Sequence, residues 1–548
     1  MVRILYIFIF IATFSVMQSC NKDNDDIPQI SKEKNRISEN LDSIFLLAQG
    51  VYLWNDQLPS VDRFNPWRFY NEGLSEFRCY ENEIFEISQY AKNEETGELY
   101  ERNPSDLNRP KYSGVVFREF QEKEPQNAYN LSNTFGLSVV VKNNILRLLY
   151  VDPNSPVGKA GLKRGTQILS INGENVLTED SFLEQWKKSL SMSFIKLEVT
   201  EDGVKKREVR LNAASYEINP VVKQNILRNG ERKIGYFALN SFTPIQNAQK
   251  YLTPIFLSFT QDKINELIID LRYNQGGYQV TADFIANLLA PNNADAKIMY
   301  TEHYNRQMQD GNSKVLENYK LYDEYNRPVI INGKAISLYD IDYSVEANTT
   351  YFHKDEGLTD LKKVYFIVSN RTASASELLI NILKPYMDVQ VIGVSEDNLS
   401  AVYTYGKPVG SFGIPISQFD LYLGMYELKN ANKESNYFKG IKADISLNDA
   451  TDTDFGMQDD PAIAWILGME KKRIELKASN KIRRDKFSFY FNKDRLIGNI
   501  KNINELKIKR IDILASYKLN TPLSFDRGPR QAYRNEITSK IDSSWRLP

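Results

Sequence analysis

Ser369-Asn370-Arg371-Thr372-Ala373-Ser374-Ala375-Ser376-Glu377 follows the apolar run Lys363-Val364-Tyr365-Phe366-Ile367-Val368 and precedes a second apolar run over 378–383. A short, continuous run rich in β-branched and aromatic residues reads as a strand buried on both faces. The run after the turn has the composition of a buried helix. A serine at such a strand-to-helix turn lies at the positive end of the helix dipole, where backbone N–H groups have no partner. Two uses follow. Ser374 or Ser376 can cap the helix, with Glu377 in its first turn, which is the commoner fate of such a serine. Alternatively, Ser374 can be a nucleophile whose attack creates an oxyanion in front of those N–H groups. This stretch alone leaves both open.

Working outward, strand-like and helix-like runs alternate through 217–470, at 234–238, 266–270, 281–289, 363–368, 376–386 and 389–394. That alternation predicts an α/β layered unit. Residues 300–361, rich in tyrosine and polar side chains, read as an insertion whose best strand runs are 328–332 and 335–338. Upstream, 134–216 holds short β-rich runs at 137–141, 145–151, 168–171 and 194–199, with a helix over 182–190. Asn172-Gly173 is a tight-turn signal, and Gly161 and Gly165 fit positions of positive φ. Residues 37–129 read as a helical unit without recognisable chemistry. Residues 471–548 form a basic extension with a net charge of about +12.

Two further segments bear on Ser374. Asp270-Leu271-Arg272-Tyr273-Asn274-Gln275-Gly276-Gly277 follows a buried strand, and its glycine pair permits close backbone approach. One N–H from Gly276 or Gly277 could join that of Ala375 in an oxyanion hole. Thr404-Tyr405-Gly406-Lys407-Pro408-Val409-Gly410 sets one lysine among small and apolar residues. It is no phosphate loop, because the upstream glycine is missing and Pro408 stands where Ser or Thr would.

Taken in order after the β-rich stretch, these three motifs resemble the C-terminal processing (tail-specific) serine peptidases. Gly440-Ile441-Lys442-Ala443-Asp444-Ile445 and Asp459-Asp460-Pro461-Ala462-Ile463 match that family's closing segments. The resemblance implies a ClpP/crotonase-like core with a Ser-Lys dyad, Ser374 as nucleophile and Lys407 as general base. It also implies a PDZ domain over 134–216, whose carboxylate loop would be Phe135-Gly136-Leu137-Ser138 and which would hold substrate C-termini; a plain β-domain without a ligand is the alternative. A lysine at its ordinary value near 10.4 cannot accept a proton, but burial can lower it by several units. Such a dyad needs no histidine, and the chain has only two, His303 and His353, both read as structural. The sequence departs from the family twice. Residues 395–401 lengthen the connection between the two motifs, and Ser411 stands where many relatives carry a glutamine that orients the lysine. These departures keep a non-catalytic, peptide-binding protein of the same fold as the competing reading.

The chain opens with Met1-Val2-Arg3 and an apolar run over 4–17, too short to span a bilayer, then Gln18-Ser19-Cys20. This reads as a signal peptide (1–19), with Cys20 resembling a lipoprotein acylation site and 20–36 a polar tether. An ordinary signal peptide with an incidental cysteine is the alternative. Asn21 after the cysteine resembles outer-membrane sorting, and the acidic residues behind it resemble surface export. The expected location is therefore a bacterial envelope membrane, on its periplasmic or surface face. With Cys20 acylated, Cys79 is the one remaining thiol, so no intrachain disulfide is expected. The net charge of −1 gives no global field for nucleic acid, and two histidines leave no histidine metal cluster. No cofactor is expected; the expected partners are protein or peptide substrates with exposed C-termini.

Overall fold

The computed structural model describes residues 29–469, apart from 105, 118–130, 143–144, 176–185, 187, 323–326, 355–356 and 396–400. The readings at Cys20, in the leader, over most of 182–190, within the 395–401 insertion and in 471–548 lie outside the described residues. No helix among the described residues is long and apolar enough to cross a membrane.

The fold is mixed α/β. Its centre is a six-stranded sheet in the order Val221–Asn229, Arg232–Leu239, Glu266–Asp270, Lys363–Val368, Asp388–Ser395 and Ile445–Asn448. The first two strands form an antiparallel hairpin, and every later pairing is parallel. Parallel strands need crossovers, which here include the helices Ile245–Gln261 and Ala375–Leu383. Helix Gln279–Leu289 packs beside both.

Strand period two sorts the sheet's side chains into two cores. Leu267, Ile269, Val364, Phe366 and Val368 face the helices. Ile268, Tyr365 and Ile367 face the opposite side, with Val140 and Leu149 from the upstream β-unit and the helix Pro461–Ile466. Burial on both faces is why these strands read as unbroken apolar runs.

The helical unit differs from the sequence reading. Its first helix, Gln29–Val51, begins inside the stretch read as tether, because lysine and glutamate are good helix formers as well as tether residues. The unit also has no separate core: Leu41, Phe45, Ile84 and Tyr112 join the cluster that holds Leu252, Leu378 and Leu423. Its strand Gly114–Phe117 pairs antiparallel with Phe419–Tyr422 of the main unit.

The insertion differs too. Its longest strand, Ile298–Tyr304, was not anticipated, and it pairs with Thr349–Tyr351 and Tyr426–Asn430. Of the two runs read as strands, only Ile330–Ile331 and Lys334–Ala335 pair, around an Asn332-Gly333 turn with both φ positive.

The β-unit packs onto the main unit through charge as well as apolar contact. Arg164, buried, donates to Asp449 Oδ1 at 2.8 Å, Tyr273 Oη at 2.6 Å and Thr453 O at 3.0 Å. Asp449 also accepts from Arg272, 3.1 Å away, which in turn contacts Asp270 and Asp460, each at 2.8 Å. Three aspartates thus surround two arginines beneath the loop that leaves strand Glu266–Asp270.

Candidate active site

Both sequence motifs lie where parallel strands end. Loop 271–278 leaves the carboxyl end of Glu266–Asp270, and loop 369–374 leaves that of Lys363–Val368, the usual crevice of an open α/β sheet. The loops are knitted together. Thr372 Oγ1 donates to Leu271 O at 2.7 Å, Ala373 N to Asn274 O at 3.1 Å, Ser376 Oγ to Asn274 O at 3.2 Å, and Ser369 Oγ to Arg272 O.

Ser374 occupies φ +60°, ψ −121°, a conformation that L residues rarely adopt. It directly precedes helix Ala375–Leu383, all nine residues of which are buried. Ser374 is 1% exposed, and its Oγ has no hydrogen-bond partner among the described residues. The capping reading is met in arrangement, with the Ser374 N–H donating to Glu377 Oε2 at 3.0 Å and the hydroxyl turned toward the Glu377 N–H without a full hydrogen bond.

Glu377 is the residue that sequence reasoning undervalued. Besides Ser374 N–H, its buried carboxylate accepts from Lys407 N–H at 2.8 Å, Gly406 N–H at 2.7 Å and Thr404 Oγ1. Four donors fill its four acceptor positions, so one side chain clamps the serine turn to the lysine loop. Burial pushes the Glu377 carboxyl above its usual range, while the hydrogen bonds from Thr404, Gly406 and Lys407 pull the other way. Tyr405 N–H adds a backbone tie to Thr372 O at 2.8 Å.

Lys407 is 1% exposed. Ser374 Oγ has no hydrogen-bond partner among the described residues, so Ser374 and Lys407 are brought to one clamp but not into mutual hydrogen-bond contact. Burial lowers Lys407 from 10.5 to about 7; Glu101 and Glu377 oppose that shift and Lys111 adds to it. The amine is therefore substantially neutral near pH 7, as a proton acceptor must be.

The glycine pair is positioned by close contact. A Cβ on Gly276 (φ +105°) would come within 2.6 Å of Ser374 Cβ and 3.0 Å of Ala375 N. One on Gly277 (φ +137°) would collide with Phe242 O. The two N–H groups differ: that of Gly276 donates to Asn274 Oδ1 at 2.8 Å, whereas that of Gly277 makes no hydrogen bond among the described residues.

Phe135, Gly136, Leu137 and Ser138 are all buried. Gly136 has φ +74°, and the space beside it is filled by Ser155 and the Tyr216 hydroxyl. Ser411, at the glutamine position, is buried with an unpartnered Oγ. His303 pairs with Thr301 Oγ1 at 2.8 Å, and His353 takes its backbone partner from Asn287; neither hydrogen-bonds Ser374. Among the described residues no cluster of three or more His, Cys, Asp or Glu could hold a metal ion.

The helical unit, read as chemically silent, reaches the site. Tyr112 Oη donates to Gly406 O at 2.9 Å, next to Lys407, and Lys111 Nζ donates to Phe438 O at 2.7 Å. No local pattern marks these residues, because they lie in an irregular stretch between Ser88 and Gly114 and their partners are some 300 positions away in the chain.

A strained serine at a strand-to-helix turn and a buried lysine on the next loop, both tied to one carboxylate at the strand ends of an α/β sheet, form a candidate hydrolase centre. The comparisons narrow this. Residues 233–447 match the sequence model of peptidase family S41, a span that contains Gly276, Ser374, Glu377 and Lys407. Similarity to C-terminal processing proteases is distant. The Bacillus subtilis (strain 168) carboxy-terminal processing protease CtpB is 30% identical over 24% of this chain and 28% of its own length. The carboxy-terminal-processing protease of Bartonella bacilliformis is 22% identical over 51% of this chain and 54% of its own. The match thus spans about a quarter to a half of these relatives. A solved Bacteroides fragilis NCTC 9343 chain assigned to the S41 proteases shares the fold, with a TM-score of 0.52 at 23% identity over 79% of this chain and 97% of that one.

Proposed function

We propose that this protein is a serine endopeptidase of the C-terminal processing type, acting through a Ser374–Lys407 dyad. Neutral Lys407 takes the hydroxyl proton as Ser374 Oγ bonds to the scissile carbonyl carbon. The resulting oxyanion faces the N–H groups of Ala375, at the helix start, and Gly277, the free one of the glycine pair. Lys407 then gives its proton to the amine nitrogen as the C–N bond breaks, leaving an ester on Ser374. Water adds by the same steps, releasing the acid and restoring the serine. The observation that carries this reading is the Glu377 clamp, which binds the N–H of Ser374 and of Lys407 with one carboxylate oxygen, Oε2. A buried serine whose Oγ lacks a partner and a buried lysine lowered to about 7, both tied to that carboxylate, support the reading.

On this reading 134–216 acts as a PDZ-like unit for substrate C-termini, and the mature protein is exported and anchored by an acylated Cys20. Cleavage of an unfolded protein by the mature chain should vanish in both Ser374→Ala and Lys407→Ala; full cleavage by either variant would end the dyad assignment. Mass spectrometry of the mature N-terminus should find acyl groups on Cys20, and an unmodified thiol there would remove the anchor. A non-catalytic, peptide-binding protein is the second reading. It draws on the missing Ser374–Lys407 hydrogen bond and is chosen if the wild type cleaves nothing yet binds free peptide C-termini.

A further inference from the structure

We infer that the helical unit completes the active site, with Glu101 and Lys111 as opposed positioning charges that set the protonation of Lys407. This rests on the Ser374–Lys407 reading and adds residues that lie outside the matched segment 233–447.

The geometry starts at Glu101. Its buried carboxylate accepts from Tyr52 Oη at 2.8 Å, Ser113 Oγ at 2.6 Å, and the backbone N–H groups of Tyr112 and Ser113, each at 3.0 Å. Four donors again fill every acceptor position. Glu101 therefore fixes the backbone of Tyr112, whose hydroxyl holds Gly406 O beside Lys407. Lys111, on the other side of Tyr112, is pinned by Phe438 O at 2.7 Å and lies 4.9 Å from the centre of the Tyr405 ring. Ser113 Oγ also accepts from Gly424 N–H at 3.1 Å, and strand Gly114–Phe117 then joins the main unit. The pair is thus carried on a short stretch anchored at both ends to the lysine's surroundings.

The other titratable groups around Lys407 are Glu377 from the serine helix, Tyr405 from its own loop, Tyr112, and Tyr437 from the loop after strand Tyr426–Asn430. Burial drives Glu377, Tyr112 and Tyr437 away from ionisation. Glu377 is already committed to four donors. The two charges able to tune the amine from the helical unit are the Glu101 carboxylate, which favours the ammonium, and the Lys111 ammonium, which opposes it. Lys111 is itself lowered to about 8 by burial and is mostly cationic at pH 7. Ser411, in place of the glutamine, leaves its Oγ unpartnered, and the charges of the helical unit condition the base instead.

The test uses the full mature chain carrying Ser374→Ala and 13Cε-labelled lysine. The Lys407 resonance is assigned by its loss in Lys407→Met and followed from pH 5 to 10. Lys111→Met should raise its midpoint by roughly one pH unit and Glu101→Gln should lower it by a similar amount. In proteins with Ser374 restored, the acidic limb of cleavage should move in the same opposite directions. A merely structural role would lower activity in both variants without splitting the midpoints. Should Glu101→Gln fail to fold, Lys111→Met decides alone: an upward shift supports the inference, and none overturns it. Both midpoints unmoved, or moved the same way, also overturns it. Opposite shifts in a protein without cleavage would keep the charge assignment and refute the peptidase reading.

Discussion

Replacing Lys407 by methionine should abolish cleavage and make the protein more stable. Lys407 titrates at about 7 in the folded chain against an ordinary 10.5. Between those values the unfolded chain binds the extra proton, so the stability of the wild type rises with pH across this window and is lowest below it. At 1.36 kcal/mol per pH unit the full difference is roughly 5 kcal/mol, and about 4 kcal/mol of it acts at pH 7, where the folded amine is half neutral. Methionine has a similar length and carries no proton, and the Lys407 backbone bond to Glu377 is kept. The urea midpoint of Lys407→Met should therefore exceed that of wild type at pH 7. The gap should shrink by about 1.4 kcal/mol per unit of pH and close near pH 10. Titrating groups that do not interact with Lys407 are common to both proteins and cancel in the difference. A gap that stays constant from pH 7 to 10, or a wild type more stable at pH 7, would refute the claim that the lysine is held deprotonated by burial.

Glu377→Gln keeps the shape of the clamp but turns an NH2 group toward N–H donors, leaving at least one unpaired; kcat should fall by about 100-fold or more with KM little changed, measured on a peptide substrate. Ser374→Gly should be about 1 kcal/mol more stable than Ser374→Ala, since glycine relieves the positive φ that alanine keeps; equal urea midpoints would contradict the strain. Arg164→Met should cost about 3–5 kcal/mol, because it leaves Arg272 alone to balance the buried Asp270, Asp449 and Asp460; hydrogen exchange should then rise at 447–455, and unchanged protection there would mean that the β-unit is held by apolar contact alone.

Much of the centre was legible in the chain. Strand 363–368, the serine turn and the helix after it follow from local composition, as do the glycine pair after strand 266–270 and the Asn172-Gly173 turn, where both residues take positive φ. Short-range chemistry decides these features, since a buried parallel strand must be apolar throughout and a tight turn needs residues that tolerate positive φ. Other features were invisible for an equally physical reason. Ser374 could be cap or nucleophile until its Oγ was found without a partner and its backbone at φ +60°. Glu377 looked like a first-turn acid, and only the folded chain brings Thr404, Gly406 and Lys407 to its oxygens. The fall of Lys407 to about 7 is a property of burial, which no heptapeptide carries. Glu101, Lys111 and Tyr112 have no motif at all, and their significance arises from packing an N-terminal stretch against a loop some 300 residues later. The sequence alone determined which groups could do chemistry and which strands and turns would present them. Tertiary structure decided which of those groups share one low-dielectric site, because charge, desolvation and hydrogen-bond supply depend on neighbours distant along the chain.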